Sequence, residues 1–208
     1  MTSEPSELEA KIVAALERLA QALQRALWEA SWRRGLSATQ AQILVYLLHR
    51  GNERVNIKDL ASRFGLGAAT LSASASSLQR KGLVRRYRDA QDRRVVYVRL
   101  TRRGRRRAAQ LALWTQAIEA EIAELDTRSK ERLLATLLEV IARLQRAGLI
   151  SVARMCTTCV YFRRNVHANP AAPHHCALMD KPLQLMELRV ECPDHQPAPV
   201  PSGGNCSK

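Results

Sequence analysis

A mainly α-helical fold with one small β-hairpin is predicted by three features of this sequence. Leu and Ala dominate while aromatics make up only 4% of the 208 residues, a balance that favours packed helices over sheets. Apolar residues recur at intervals of three and four over long stretches, which is the period of an amphipathic helix. Up to about Ile150, residues 83–100 break that period, with two runs rich in Val and Tyr of the kind that pair as strands.

Taken in order, Ile12, Leu16, Leu19, Leu23 and Leu27 mark a first helix running to about Arg33. Ser37 precedes Ile43, Leu44, Leu47 and Leu48 and is placed to cap a second. A short helix from Ile57 to Phe64 ends at Gly65, and another spans about Ala68 to Arg80, with Leu71, Ala75 and Leu78 inward and Gly82 beyond its end. Two short helices joined by a tight glycine-containing turn form a helix-turn-helix. Leu83–Tyr87 and Val95–Leu100 are the predicted strands, joined by the polar loop 88–94 as a hairpin, or wing. Thr101 is placed to cap a long helix reaching about Leu125, and Thr127 another from about Ser129 to Ala147. Their stripes, Leu111, Trp114, Ile118 and Ile122 on one and Leu133, Leu137, Val140, Ile141 and Leu144 on the other, fit either an ordinary core or an interface with a second subunit.

Charge concentrates around the wing. Between Gln79 and Arg107 lie thirteen Lys or Arg against Asp89 and Asp92, most of the formal net charge of +14. Arg102, Arg103, Arg105, Arg106 and Arg107 occupy the first turns of a predicted helix, where the helix dipole disfavours each cation by about 0.3–1 kcal/mol. Stability alone would place acids there, so the run points to a polyanionic partner and to contacts with DNA phosphates.

Residues from about Leu36 to Gly104 resemble the MarR family of winged-helix regulators. The resemblance rests on Asp92-x-Arg94, then Leu100-Thr101 and Gly104, preceded by Lys81-Gly82-Leu83-Val84. It implies a dimeric DNA-binding transcriptional regulator, with the flanking helices as the dimerisation region. It also places the Asp and Arg in the wing, with Arg94 reaching the minor groove or bracing against Asp92. The recognition helix departs from the family's polar and basic mixture, being built of Ala68, Ala69, Thr70, Ser72, Ala73, Ser74, Ser76 and Ser77. It offers no Arg or Asn for bidentate base readout, so shape readout through the wing is expected to carry more of the specificity. The candidate DNA-contacting residues are Ala69, Thr70, Ser72, Ala73, Ser76 and Arg80 on the recognition helix, Arg88, Arg93 and Arg94 in the wing, and Arg102 and Arg103 after it.

Beyond about Ile150 the composition changes: every cysteine, four of the five histidines and seven of the eight prolines lie there. Cys156, Cys159, Cys176 and Cys192 form C-x2-C-x16-C-x15-C, a pattern able to place four thiolates on one metal centre. An iron–sulfur cluster is favoured over zinc, because the second pair is split into single cysteines and Cys192 is followed by Pro193. His167, His174, His175 and His195 are possible substitute ligands or supporting donors. Cys206, in a Pro/Gly/Ser-rich tail, is expected to be a free thiol. The expected organisation is therefore a dimerisation helix (1–35), a winged helix-turn-helix (36–104), two further dimerisation helices (105–150), a Cys-rich metal-binding lobe (151–196) and a tail (197–208).

The partners expected are a near-palindromic double-stranded DNA operator and a second copy of the chain. No stretch of about 18 apolar residues predicts a membrane span, and the acidic start Met1–Glu9 lacks the plan of a signal peptide, so a cytoplasmic location is expected. Two alternatives stand beside the redox- or metal-responsive regulator. One is a regulator answering to a small-molecule effector, with purely structural zinc. The other is a nucleic-acid-processing enzyme carrying the same winged domain. No paired carboxylates, phosphate-binding glycine loop or nucleophile–base pair supports the enzyme, and no enzymatic activity is expected.

Overall fold

The computed structural model describes residues 6–150 and 153–199. The chain divides into two compact units, Met1–Glu124 and Leu125–Lys208.

In the first unit, α1 (Glu7–Trp32) is followed by α2 (Ala38–His49), whose start is fixed by a capping box. The Gln40 amide donates to the Ser37 hydroxyl at 3.2 Å and the Ser37 amide to the Gln40 side chain at 3.4 Å, satisfying two donors that a helix start leaves orphaned. β1 (Val55–Asn56) leads into α3 (Ile57–Phe64), capped by Asn56 and ended by Gly65 at φ 62°, a conformation that glycine adopts without strain. After α4 (Ala68–Arg80), β2 (Val84–Arg88) and β3 (Val96–Leu100) form the hairpin. The sheet order is β1-β3-β2, all antiparallel, with Val55 opposite Val98 and Arg86 opposite Val98 on the other side. β1 is too short to show an alternating pattern, and only its pairing with β3 defines it.

The helix expected from Thr101 to about Leu125 is not continuous. α5 (Arg102–Leu111) gives way to a 3₁₀ turn (Ala112–Thr115) and then to α6 (Gln116–Ala123). No Gly or Pro marks this break. A 3₁₀ turn aligns residues three apart, and here it brings Trp114 against the same core that buries Leu111. That core joins Leu27 and Leu36 to Ile43, Leu44, Leu60, Leu71, Leu78, Val84 and Val98.

The second unit begins with α7 (Thr127–Arg146), and its cap is Asp126 rather than Thr127. The Asp126 carboxylate accepts from the Ser129 hydroxyl at 2.6 Å and the Ser129 amide at 3.0 Å, and these bonds lower its pKa. Aspartate is the stronger acceptor for the exposed amides and sits favourably at the positive end of the helix. Beyond it lie a 3₁₀ turn (Cys156–Thr158), then β4 (Phe162–Arg163), β5 (His174–Cys176) and β6 (Lys181–Leu183) in an antiparallel sheet of that order. A second core joins Leu138 and Ala142 of α7 to Ala153, Met155, Leu183 and Leu188. The cysteine-rich segment thus shares its apolar core with the preceding helix, and α7 belongs to the same compact unit although the composition changes only near Ile150. No helix among the described residues is long and apolar enough to cross a membrane.

Candidate nucleic-acid interface and metal centre

The first unit presents α4, the wing and the start of α5 as one basic arrangement. Arg80, Arg85, Arg88, Arg93, Arg102, Arg103, Arg105 and Arg106 are all exposed. On α4, Ala68, Ala69, Thr70 and Ala73 are exposed, whereas Ser72 and Ser76 are half-buried and face the wing strand. Arg86 of β2 donates to Ser72 Oγ at 3.2 Å and to Ser76 Oγ. These serines therefore tie the recognition helix to the wing, and the exposed surface of α4 is Ala68, Ala69, Thr70 and Ala73, with Gln79 and Arg80 at its end.

The residues Lys81, Asp92, Arg94, Thr101 and Gly104 act largely as locks. Lys81 Nζ reaches the Gly35 carbonyl at 2.6 Å and Gln40 Oε1 at 3.0 Å, fastening the end of α4 to the turn before α2. The Thr101 hydroxyl donates to the carbonyls of Gly82 and Leu83 at 2.8 and 3.2 Å, and accepts from the Gly104 amide at 2.9 Å. A Cβ on Gly104 would stand 1.8 Å from the Leu83 carbonyl oxygen, so only glycine lets α5 approach β2 this closely. In the wing loop, Arg94 grips Asp92 with Nε to Oδ1 at 3.0 Å and Nη2 to Oδ2 at 3.1 Å. That side-chain pairing, with a backbone bond from Arg94, lowers the pKa of Asp92. Asp89 accepts from the amides of Asp92 and Gln91, which lower its pKa too. Of the two expectations for Arg94, the bracing contact is the one present in the chain alone, and Arg93 beside it is exposed.

Sequence reasoning passed over Arg86, one charge among thirteen. Its position in the strand next to a serine-rich helix was the available signal. It also gave no place to the aromatic pair Tyr87–Tyr97, stacked at 5.4 Å with Arg99 over Tyr87 and Arg54 over Tyr97.

In the second unit Cys156, Cys159, Cys176 and Cys192 all line one pocket, with Tyr161, Phe162, Leu178, Met179 and Leu183 forming an apolar collar. The 3₁₀ turn carries Cys156 and Cys159 to one side, and β5 delivers Cys176. The Arg189 amide donates to Cys156 Sγ at 3.2 Å, and its guanidinium approaches Cys192 Sγ at 3.7 Å. Burial raises the pKa of Cys156, the Arg189 amide opposes this, and the charges of Cys192, Cys176 and Cys159 raise it further. Yet no group of three or more His, Cys, Asp or Glu among the described residues is arranged to hold one metal ion. No histidine lines the pocket. His174 is buried beside Phe162 and its ring accepts from the Asn165 amide at 3.2 Å, while His195 meets the Thr158 hydroxyl at 3.0 Å. Burial lowers the pKa of both. Cys206 lies outside the described residues.

Residues 34–95 match the sequence profile described as the MarR family. YdgJ of Bacillus subtilis, described as an uncharacterized HTH-type transcriptional regulator, is 29% identical over 122 residues, 58% of this chain, and the chain spans 64% of that relative's length. Among solved structures, MepR of Staphylococcus aureus in its DNA-binding conformation superposes with a TM-score of 0.59 at 21% identity, covering 64% of this chain and 98% of MepR. The MepR–DNA complex gives 0.57 at the same identity, over 64% of this chain and 97% of that one. CouR of Rhodococcus jostii, bound to p-coumaroyl-CoA, gives 0.54 at 23% identity, over 65% of this chain and 95% of CouR. The chain thus contains a winged helix with the fold of MarR-family structures, and residues 34–95 carry that family's sequence pattern.

Proposed function

We propose that this chain is a DNA-binding transcriptional regulator that acts as a homodimer and answers to redox state or metal status through its four-cysteine centre. The observation that carries the DNA reading is the band of exposed arginines on α4, the wing and the start of α5, beside a winged helix of the fold that MepR uses on DNA. With Ala and Thr on the outer face of α4, phosphate contacts and shape readout do most of the work, and thymine methyls are the base feature such a surface meets.

Dimerisation is supported by apolar side chains that each unit leaves without a partner of its own. Leu8, Ile12, Val13, Leu16, Leu19 and Leu23 of α1 are all exposed. On α7, Leu138 and Ala142 face the cysteine lobe, while Leu133 stays exposed and Leu137, Val140 and Leu144 are half-buried. A second copy related by a two-fold axis would cover such stripes and present two recognition helices to a near-palindromic operator with half-sites about 10 bp apart.

Four half-buried thiols around one pocket, with an amide and a guanidinium directed at two of the sulfurs, suit a metal centre. An iron–sulfur cluster is the better fit: its own bridging sulfides let the ligating cysteines stand farther apart than a single zinc ion would, with Zn–S bonds of about 2.3 Å. When bound, the cluster would supply reversible electron transfer or oxidative loss. The chain's own contribution is to hold Cys156, Cys159, Cys176 and Cys192, to screen them with the apolar collar and to stabilise sulfur charge through Arg189. The core beneath them is shared with α7, so ordering or loosening the centre acts on that helix directly.

Regulation by a small molecule is the second reading. It is favoured by an open cleft of about 630 Å³ beside the stacked Trp28–Trp32 pair and Leu36, and by the acyl-CoA bound to CouR. Two experiments separate these readings. Binding to double-stranded DNA over a salt series tests the arginine band: Arg93→Ala and Arg94→Ala should each lower affinity and reduce the salt slope by about one unit. Unchanged slopes in both would refute it. Anaerobic purification with metal and sulfide analysis tests the centre. Iron with visible absorption that disappears on replacing any of Cys156, Cys159, Cys176 or Cys192 by Ser, and survives Cys206→Ser, is expected. A colourless zinc protein would move the small-molecule reading to first place.

A further inference from the structure

On β5 the side chains alternate, as they must in a strand. His174 and Cys176 turn inward, to Phe162 and to the cysteine pocket, and His175 between them turns to the opposite face. There it meets His167 from the loop joining β4 and β5. His167 Nε2 stands 3.2 Å from His175 Nδ1, with the ring planes inclined at 60°. The other nitrogen of His175, Nε2, faces Asp180 Oδ1 at 3.4 Å.

This placement is built in. The buried His174 ring accepts from the amide of Asn165, which holds φ 54°, and the His167 amide donates to the Pro173 carbonyl at 3.1 Å. Asn169 closes the turn between them, its side-chain oxygen accepting from the Ala171 amide at 3.0 Å. Asp180 also sits at positive φ, in the turn between β5 and β6. Two turns of fixed shape therefore deliver His167 and Asp180 to the two sides of one imidazole.

We propose that His167 Nε2 and His175 Nδ1 bind a divalent late first-row metal ion, zinc(II) in the simplest case, at a site separate from the four cysteines. With metal–nitrogen bonds of about 2.0–2.1 Å, tetrahedral ligation sets two ring nitrogens about 3.3 Å apart, close to the separation present. The Asp180 carboxylate, 3.4 Å from His175 Nε2, favours the proton on that nitrogen and so leaves Nδ1 for a metal; carboxylates take this role behind ligating histidines. Since Asp180 faces the far nitrogen, only two side chains ligate. Water fills the remaining positions, so the ion exchanges readily. Imidazole ligands select zinc, copper or nickel over magnesium and calcium. The inference is independent of what the cysteines hold.

The test uses the tag-free, full-length protein as isolated, dialysed to equilibrium against zinc(II) buffered by a weak chelator. Wild type should take up one more equivalent than either His167→Ala or His175→Ala. Asp180→Asn should bind that equivalent about 10- to 100-fold more weakly. Equal zinc uptake by wild type and both histidine variants overturns the site and leaves an ordinary histidine–histidine hydrogen bond. A readout on unaltered protein guards against a variant that fails to fold: long-range nitrogen–proton spectra of the imidazoles during zinc titration. Movement of His167 Nε2 and His175 Nδ1 supports the site, and rings indifferent to zinc refute it.

Discussion

In the winged helix, Leu44, Leu60, Leu71, Leu78 and Leu111 are withdrawn from solvent altogether. In the second unit the four cysteines stay half-buried around their pocket and rest on a thinner core of Leu138, Met155, Leu183 and Leu188. Burying a large aliphatic side chain contributes about 1.5–3 kcal/mol, and the first unit repeats that contribution from each of α1 to α5. The second has short strands, few large apolar residues and one helix to lean on. One unit has a winged helix with a well-filled core of its own, and the other is of the kind that a metal cross-link stabilises. That contrast matches the proposed division of labour, in which the stable unit meets DNA and the less stable one carries the changeable state.

The sharpest way to break the comparison is at Gly104. Gly104→Ala drives a methyl into the Leu83 carbonyl, and a backbone atom cannot step aside. We expect a loss of about 3 kcal/mol or more from the winged helix, read as an early urea transition that removes DNA binding. Leu138→Ala should act on the other unit, costing about 2–4 kcal/mol by opening a cavity between α7 and the lobe. Two unfolding transitions, one moved by each substitution, would establish the independence of the units; a single shared transition would deny it. Arg86→Ala removes charge-assisted bonds to Ser72 and Ser76 and should cost about 1–3 kcal/mol. DNA affinity should also fall, because the recognition helix is no longer tied to the wing. At the small end, Ser37→Ala dismantles the capping box of α2 for about 1 kcal/mol, without changing DNA affinity once the protein is folded.

The two units were also unequally legible in the sequence. Gly65, Gly82 and the caps Ser37 and Thr101 announce where helices begin and end, and the Val- and Tyr-rich runs announce the hairpin. Three features had no such local mark. β1 is two residues long and exists through Val98. The 3₁₀ break at Ala112–Thr115 follows from the packing of Trp114, and Asp126 outcompetes Thr127 as a cap by its charge. At the candidate DNA interface, an arginine run points to phosphate but not to which guanidinium is tied within the chain: Arg86 bonds Ser72 and Ser76, and the exposed Arg94 pairs with Asp92. For the cysteines, spacing suggested one metal centre, and the four line one pocket. Spacing could not separate the histidines: His174 became a buried anchor, and His167 and His175 met on the opposite face of β5.

The most direct test of the account compares metal-loaded and metal-free protein for affinity toward one operator, at one salt concentration, with the oligomeric state checked in both. If the cysteine centre biases α7 and the dimer built on it, the two forms should differ by roughly 5- to 150-fold, a coupling of about 1–3 kcal/mol, while both keep the salt dependence of an arginine-lined surface. Equal affinities would contradict a sensing role and leave the four cysteines as a structural cross-link.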